Sequence, residues 1–177
     1  GPMTRTVRVE PGATVRADAT ARGDAGAITL WSSVRTEALG TLSARGGPIG
    51  GDGGFVETSG TGTVFADAAI DVSAHAPGAR GGRWLLDPVD VIITTRELAI
   101  DKVGSRPNGT TQPTTSVVLI DRVLTALAGG DVEITGAFSR GVGGGSVTLD
   151  IEDPSIAGAE AVEYMLPAAR PLTLTGQ

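Results

Sequence analysis

The sequence predicts an all-β fold, a solenoid of stacked strands with one short helix and one polar excursion. The main observation is a repeat: similar segments begin at Ala25 (AGAITLWS), Gly53 (GGFVETSG) and Gly81 (GGRWLLDP), in steps of 28 residues. A fixed period of this length is typical of stacked structural units. A second run follows in the first two units (LGTLSARGG and AAIDVSAHAPG), without helical periodicity. Each unit is therefore predicted as strand, turn, strand, turn.

Composition agrees with a layered core. The 177 residues include 27 Gly and 10 Pro, and aromatic residues make up 3%, so small and β-branched side chains must fill the interior. The net charge of −6 and the lack of a basic cluster argue against nucleic-acid binding. The sequence has no cysteine, which excludes disulfides and thiolate metal sites, and we expect no cofactor. No apolar run approaches the length of a membrane span.

The chain divides into four parts. Residues 1–3 resemble a tag remnant, and residues 4–95 form the regular coils. Residues 96–116 are polar and interrupted by prolines, which predicts a loop excursion. Residues 117–177 are expected to hold the short helix and further coils. Because the repeat is cut at both ends, we interpret the chain as a fragment of a longer protein.

Strand alternation predicts which side chains face the core. In the 28-residue register, one inward stack contains Ile28, Val56 and Trp84, and the next contains Leu30, Thr58 and Leu86. The outward rows are then Thr29, Glu57 and Leu85, followed by Trp31, Ser59 and Asp87.

The later part gives weaker predictions. A helix is predicted over 116–128, with Val117, Ile120, Leu124 and Leu127 at helical spacing and glycines after it. Strands are predicted over 131–135, 146–151 and 172–175, and a helical turn over 159–166.

The segment GGPIGGDGGFVETSG, followed by SAHAPGARGGRWLLDPVDVII, resembles the filamentous-haemagglutinin-like exoproteins of bacterial two-partner secretion. The resemblance covers residues 26–94, and the later DVEIT and GGSVTLDI segments are similar more loosely. It implies a right-handed parallel β-helix, in agreement with the 28-residue period.

The same resemblance implies a biological setting. It implies export through a partner outer-membrane transporter and display at the bacterial cell surface as an adhesin. It does not identify the host or bacterial glycan or protein that would be bound. Unpaired strands at the ends of such a solenoid also predict end-to-end self-association.

The Asp87-Pro88 bond is the sharpest candidate for chemistry. The carboxyl of Asp87 can attack its own main-chain carbonyl to form a five-membered anhydride, with the proline nitrogen as a relatively basic leaving group. Positioning and a proton donor would accelerate this step, and Glu57 and Asp90 are the candidate acids. Hydrolysis would cleave the chain, whereas capture by Lys102 would make a cross-link.

Simpler interpretations stand beside this one. Proline stops a strand ladder, and a second Asp-Pro pair at Asp153 has no comparable surroundings. The single histidine, His75, lies in a predicted exposed turn, and the GGDGG segment at 50–54 is only one copy of a calcium-repeat-like pattern. Arg83 is expected to pair with Glu57 as an exposed salt bridge.

Three functions follow, in order of preference. The first is a structural and adhesive β-helical segment without catalytic turnover. The second is an autocatalytic module that cleaves at Asp87-Pro88. The third is a β-helix that binds or cleaves carbohydrate in a surface groove, where Glu57 and Asp87 would lie on adjacent coils.

Overall fold

The computed structural model describes residues 4–96, 99, 116–136, 147–151, 162–166 and 172–174, and it is a parallel β-helix. The predicted all-β solenoid is therefore confirmed. The complete coils hold three strands, not the two predicted, because the middle strands are short and partly polar. The first five strands are β1 (Thr6–Val9), β2 (Thr14–Arg16), β3 (Ala27–Ser32), β4 (Arg35–Ala38) and β5 (Thr41–Ser43).

Five further strands complete the regular part: β6 (Phe55–Gly60), β7 (Thr63–Ala66), β8 (Ala69–Asp71), β9 (Arg83–Asp87) and β10 (Val91–Thr94). The later elements are β11 (Ser116–Leu119), α1 (Ile120–Leu127), β12 (Asp131–Ile134), β13 (Val147–Ile151), β14 (Val162–Leu166) and β15 (Leu172–Leu174). They form three sheets: sheet I (β3-β6-β9-β12-β15), sheet II (β1-β4-β7-β11-β10-β13-β14) and sheet III (β2-β5-β8).

The 28-residue period is the strand register. Ala27 lies opposite Phe55, and Phe55 opposite Arg83, in parallel pairs of sheet I. The same offset of 28 relates Arg35 to Thr63 in sheet II, and Thr41 to Ala69 in sheet III. Neighbouring coils therefore superpose residue on residue, as the sequence predicted.

The predicted inward stacks are also confirmed. Val56 and Trp84 are fully buried, Ile28 is 6% exposed, and the stack continues to Val132. In the second stack, Thr58 and Leu86 are fully buried whereas Leu30 is only partly buried. Thr58 is the polar member because its hydroxyl accepts a hydrogen bond of 3.0 Å from Trp84 Nε1.

The chain departs from simple stacking after β9. Its next strand in sheet II, β10, is displaced along the sheet by the width of one strand. β10 does not lie beside β7, because β11 occupies that position: Phe65 is opposite Val117, and Val117 is opposite Ile92. A strict period of 28 would have placed Ile93 opposite Phe65. The residues from Asp87 to Asp90, which we call the step, connect β9 to this displaced strand.

The predicted helix over 116–128 was wrong in its first turn. Ser116–Leu119 is strand β11, and the helix covers Ile120–Leu127. Its buried residues are Val123 and Ala126, whereas Leu124, expected to face the core, is 61% exposed. The helix packs against β8, β11 and β12, so it takes the place of a sheet III strand on the fourth coil.

A carboxylate clamp ties this helix to the solenoid. Asp67, directly after β7, accepts hydrogen bonds of 2.7 and 2.8 Å from Arg96 and one of 2.9 Å from Arg122. Burial would raise the pKa of Asp67, but these hydrogen bonds and the two positive charges outweigh burial and lower the pKa. Nearby, Ala99 packs with Val117 and Leu119 as a small second cluster.

The far end of the described chain differs from the regular coils. β14 pairs antiparallel with β13, and β15 pairs antiparallel with β12. The helical turn predicted over 159–166 was wrong where the structure describes it, because Val162–Leu166 is β14. The predicted excursion at 96–116 lies largely outside the described residues, as do Lys102 and Asp153.

Candidate functional site

Asp87 and Pro88 stand at the start of the step. Asp87 is the last residue of β9 and is partly buried, and Pro88 is buried. One carboxylate oxygen, Asp87 Oδ1, accepts a hydrogen bond from the Thr135 hydroxyl on the next coil. Proline has no N–H to continue the ladder, so the chain can leave the level of β9 at this residue. The Asp-Pro pair thus has a structural role as the exit from a coil.

The row that contains Asp87 is less exposed than the sequence predicted. Trp31, Ser59 and Asp87 are opposite one another in successive strands, as expected. Ser59 is only 1% exposed, however, so the prediction that it faces solvent was wrong. Its hydroxyl oxygen is buried and has no hydrogen-bond partner among the residues that the structure describes. Asp87 is therefore the ladder partner of Ser59, but its carboxylate is hydrogen-bonded to the Thr135 hydroxyl and not to that of Ser59.

The two candidate acids lie on different sides of Asp87. Glu57 is opposite Leu85, one strand over and two residues back from Asp87, so the two Cα atoms are about 8 Å apart. Its Oε2 accepts a hydrogen bond of 3.4 Å from Thr29. Asp90 ends the step, and its main-chain oxygen accepts a hydrogen bond of 3.0 Å from Ser116 N–H. The register thus places Glu57 on the same face as Asp87, but not directly opposite it.

The expected Arg83–Glu57 ion pair was wrong. Arg83 Nη1 is instead 2.9 Å from Glu133 Oε2, on the following coil. The guanidinium also lies over the Phe55 ring, 5.2 Å from its centroid. The partner was not foreseeable from the period, because Glu133 follows Arg83 by 50 residues rather than 28.

Beside these residues lies an open groove of about 600 Å³. It is lined by the residues just before and at the start of β3, β6 and β9, where Gly26, Gly54 and Gly82 have no side chain to cover the backbone. Phe55, Arg83 and Asp131 also line it. A Cβ on Gly82 would approach the Gly54 carbonyl oxygen to 1.9 Å, so close coil packing requires glycine here. The groove is open and shallow, so it would contact a ligand from one side without enclosing it.

Sequence reasoning missed a polar cluster in the turn that follows β8. Ser73 Oγ donates a hydrogen bond of 2.6 Å to Asp71 Oδ1 and lies 3.2 Å from His75 Nε2. Only Asp71 lies in β8, and the contacts through Ser73 bring the three side chains together. The serine lies between the acid and the imidazole, whereas in a Ser-His-Asp triad the imidazole is in the middle. The cluster therefore does not form a nucleophilic triad.

The GGDGG corner also has a structural explanation. Asp52 Oδ1 accepts the Arg80 N–H at 2.8 Å, and Asp24 Oδ1 accepts the Asp52 N–H at 2.8 Å. Each carboxylate thus bonds the corner of the next coil. In the part of the chain that the structure describes, no group of three His, Cys, Asp or Glu residues is arranged to hold a metal ion.

Fold and site together define the class as a parallel β-helical solenoid with an Asp-Pro step between coils. Comparison with protein-family models, with curated proteins and with solved structures found no match. Among the described residues, no helix has both the length and the apolar character needed to cross a membrane.

Proposed function

We propose that the chain is a structural and adhesive segment of a large secreted bacterial surface exoprotein, exported by two-partner secretion. The supporting observation is the residue-on-residue register of successive coils, which builds an elongated surface from small, similar units. Such a stack can be extended by adding coils, and its outward rows form a continuous ligand-binding face. The resemblance of GGFVETSG and GGRWLLDP to the exoprotein family supports the secretion route.

The groove on sheet I is the preferred ligand site, and a surface glycan is its preferred occupant. Phe55 has the Arg83 guanidinium on one side, and its other ladder neighbour is Ala27, which is too small to cover the ring. The Phe55 ring offers a stacking surface, whereas the N–H groups of the three groove glycines already donate backbone hydrogen bonds to Ala17, Ala44 and Val72. In this proposal, carbohydrate binding and adhesion use the same face.

Adhesion is tested with beads coated with the purified protein. We expect saturable binding to epithelial or bacterial cells and to a subset of glycans on an array. Phe55→Ala should reduce this binding, whereas Leu124→Ala, on the exposed side of α1, should not. Binding no greater than that of albumin-coated beads would contradict the adhesive role.

The secretion route is tested in cells. When the parent gene is expressed with its partner transporter, an epitope in this segment should become accessible to external protease. Without the transporter, the epitope should stay protected. Equal accessibility in both strains would contradict two-partner export.

A second candidate function is self-cleavage at Asp87-Pro88, favoured by the Thr135 hydrogen bond that holds the Asp87 carboxylate. In this proposal, the carboxylate attacks the Asp87 main-chain carbonyl carbon, the bond to Pro88 nitrogen breaks, and that nitrogen takes up a proton, for which Glu57 and Asp90 are the candidate donors. Water then opens the anhydride, or Lys102, the only lysine in the sequence, captures it.

Intact mass over several days across pH 4–8 tests the cleavage. Fragments that meet after Asp87, and that disappear in Asp87→Ala, would support it. The Asp153-Pro154 bond serves as an internal control, because general acid lability would cut both bonds. Cutting at both bonds in equal yield would contradict a site-specific reaction.

A further inference from the structure

Thr135 is held in direct contact with the Asp87 carboxylate. Its hydroxyl donates a hydrogen bond to Asp87 Oδ1, and both side chains are partly buried. Its main-chain N–H donates to the Leu86 oxygen at 2.8 Å, directly after the ladder pair of Ile134 and Leu86. The main chain of sheet I therefore fixes the position of Thr135, with its hydroxyl against the carboxyl group of the candidate bond.

Thr135 and Asp87 also lie on opposite sides of that bond in the sequence. A break after Asp87 separates residues 1–87 from residues 88–177, and Thr135 belongs to the second part. A bond between the Asp87 acyl group and the Thr135 oxygen would therefore keep the two parts joined. A threonine hydroxyl is a known type of acyl-accepting nucleophile. Because it is already in contact, it competes with water through proximity, which is worth effective concentrations of roughly 10⁵–10⁸ M in well-oriented reactions.

From this contact we propose that Thr135 captures the Asp87 anhydride and forms an ester between adjacent coils. The inference rests on the self-cleavage proposed above. In the first step, Asp87 Oδ2 bonds to the Asp87 main-chain carbonyl carbon, and the bond to Pro88 nitrogen breaks as that nitrogen gains a proton. In the second step, Thr135 Oγ1 bonds to Asp87 Cγ and loses its proton, while the bond between Cγ and Oδ2 breaks and leaves a main-chain carboxylate.

The net reaction exchanges a peptide bond for an ester without adding or losing an atom. The product is a branched isomer, in which the Asp87 side chain joins residues 1–87 to Thr135 and Pro88 is a free amino terminus. Free α-amino groups have a pKa of about 7.7–8.0, so below that pH a further proton stops the nitrogen from attacking the ester. The cleaved solenoid thus remains one covalent molecule across the step.

Trypsin digestion at about pH 6.5, followed by mass spectrometry, tests the inference on protein that has been incubated in its folded state. An unbroken chain gives the linear peptide 84–96, and cleavage gives the peptide 88–96. We expect 88–96 together with a branched peptide that joins 84–87 to 123–140, with fragmentation locating the link at Thr135. Hydroxylamine cleaves esters and should release 84–87 from this branched peptide as a hydroxamate.

Two variants at one position provide the matched control. Thr135→Val keeps the shape of the side chain and removes the nucleophile, so water should open the anhydride. Free peptide 84–87 should then accompany 88–96. Thr135→Ser keeps the hydroxyl and should retain the branched, hydroxylamine-sensitive peptide.

The outcomes separate the two proposals. Free peptide 84–87 in the same yield in the parent protein and in Thr135→Val would overturn the ester and leave self-cleavage standing. A link from 84–87 to peptide 97–106, which contains Lys102, would assign the capture to that lysine and also overturn the role of Thr135. The linear peptide 84–96 alone, in the parent protein and in both variants, would overturn self-cleavage and the ester with it.

Discussion

Thr58 occupies an apolar stack because the residue above it carries a polar N–H. The Trp84 indole is fully buried, and Thr58 Oγ1 is the acceptor of its Nε1–H. The two repeats that contain VETSG and WLLDP are therefore coupled through a hydrogen bond in the core. A buried donor without an acceptor is costly, so the pair should be sensitive to substitution.

Replacing Thr58 by valine keeps the shape and removes the acceptor. We expect the free energy of unfolding to fall by about 1–3 kcal/mol, measured by urea denaturation. Thr58→Ser keeps the hydroxyl and loses one methyl group, for which about 1 kcal/mol is expected. A valine variant as stable as the serine variant would show that the hydrogen bond contributes nothing.

Glycine at position 82 is required by contact and not by backbone angle. Alanine there would place a Cβ 1.9 Å from the Gly54 oxygen, so the coils must separate. Gly82→Ala should destabilise the protein by about 3 kcal/mol, the upper range for overpacking. Gly12, which has φ of +80° and open space around it, is the matched control, with an expected strain of about 1 kcal/mol. Equal losses would contradict close coil packing at Gly82.

At the scale of elements, the Asp67 clamp connects α1 and the start of the excursion to the turn after β7. Because the folded pKa of Asp67 is lowered, its contribution to stability is present above the unfolded value, about 3.9. This contribution is lost as pH falls through the lower, folded pKa.

Asp67→Asn should therefore be less stable than the parent protein at pH 7, and the difference should shrink below about pH 4. Urea denaturation at pH 7, 5 and 3.5 measures this difference. Helical circular dichroism should be lost at lower urea in the variant, because α1 loses the Arg122 contact. A difference that stays constant across these pH values would show that the Asp67 charge is not responsible.

Local signals explain which elements were predictable. Ile28, Val56 and Trp84 recur at one interval of 28 residues, so their register followed from the repeat and their burial from the alternation of strand side chains. The helix boundary did not, because Val117 and Leu119 suit a helix face as well as a buried strand. Only tertiary pairing with Phe65, 52 residues earlier, selects the strand.

In the candidate site, too, some contacts could be predicted from the sequence and others could not. The row of Trp31, Ser59 and Asp87 followed from the period, whereas the Thr135 contact depends on a partner 48 residues away, across the break in the repeat. The burial of Ser59 was not predicted either, since alternation places it on the outward face. Contacts between residues on either side of the step do not follow the 28-residue period, so the sequence repeat does not predict them.

At the scale of the whole molecule, the solenoid changes character along its axis. The first coils stack in a constant register, the step and inserted strand β11 break it, and antiparallel β14 and β15 lie at the other end of sheets II and I. In the described residues, β1, β2 and β3 present the parallel edges to which another coil could add. The proposed end-to-end association belongs to that end.

The central structural claim is that β11 separates β7 from β10, so that Asp87-Pro88 is a step between levels. The most direct test uses paired cysteines in this cysteine-free chain, with a short bifunctional thiol reagent. The pair Phe65→Cys and Val117→Cys should cross-link rapidly, because these residues are opposite each other. The pair Phe65→Cys and Ile93→Cys should not, because Ile93 lies two strands away. Rapid linking of residues 65 and 93, without linking of 65 and 117, would contradict the inserted strand and restore the uninterrupted 28-residue repeat.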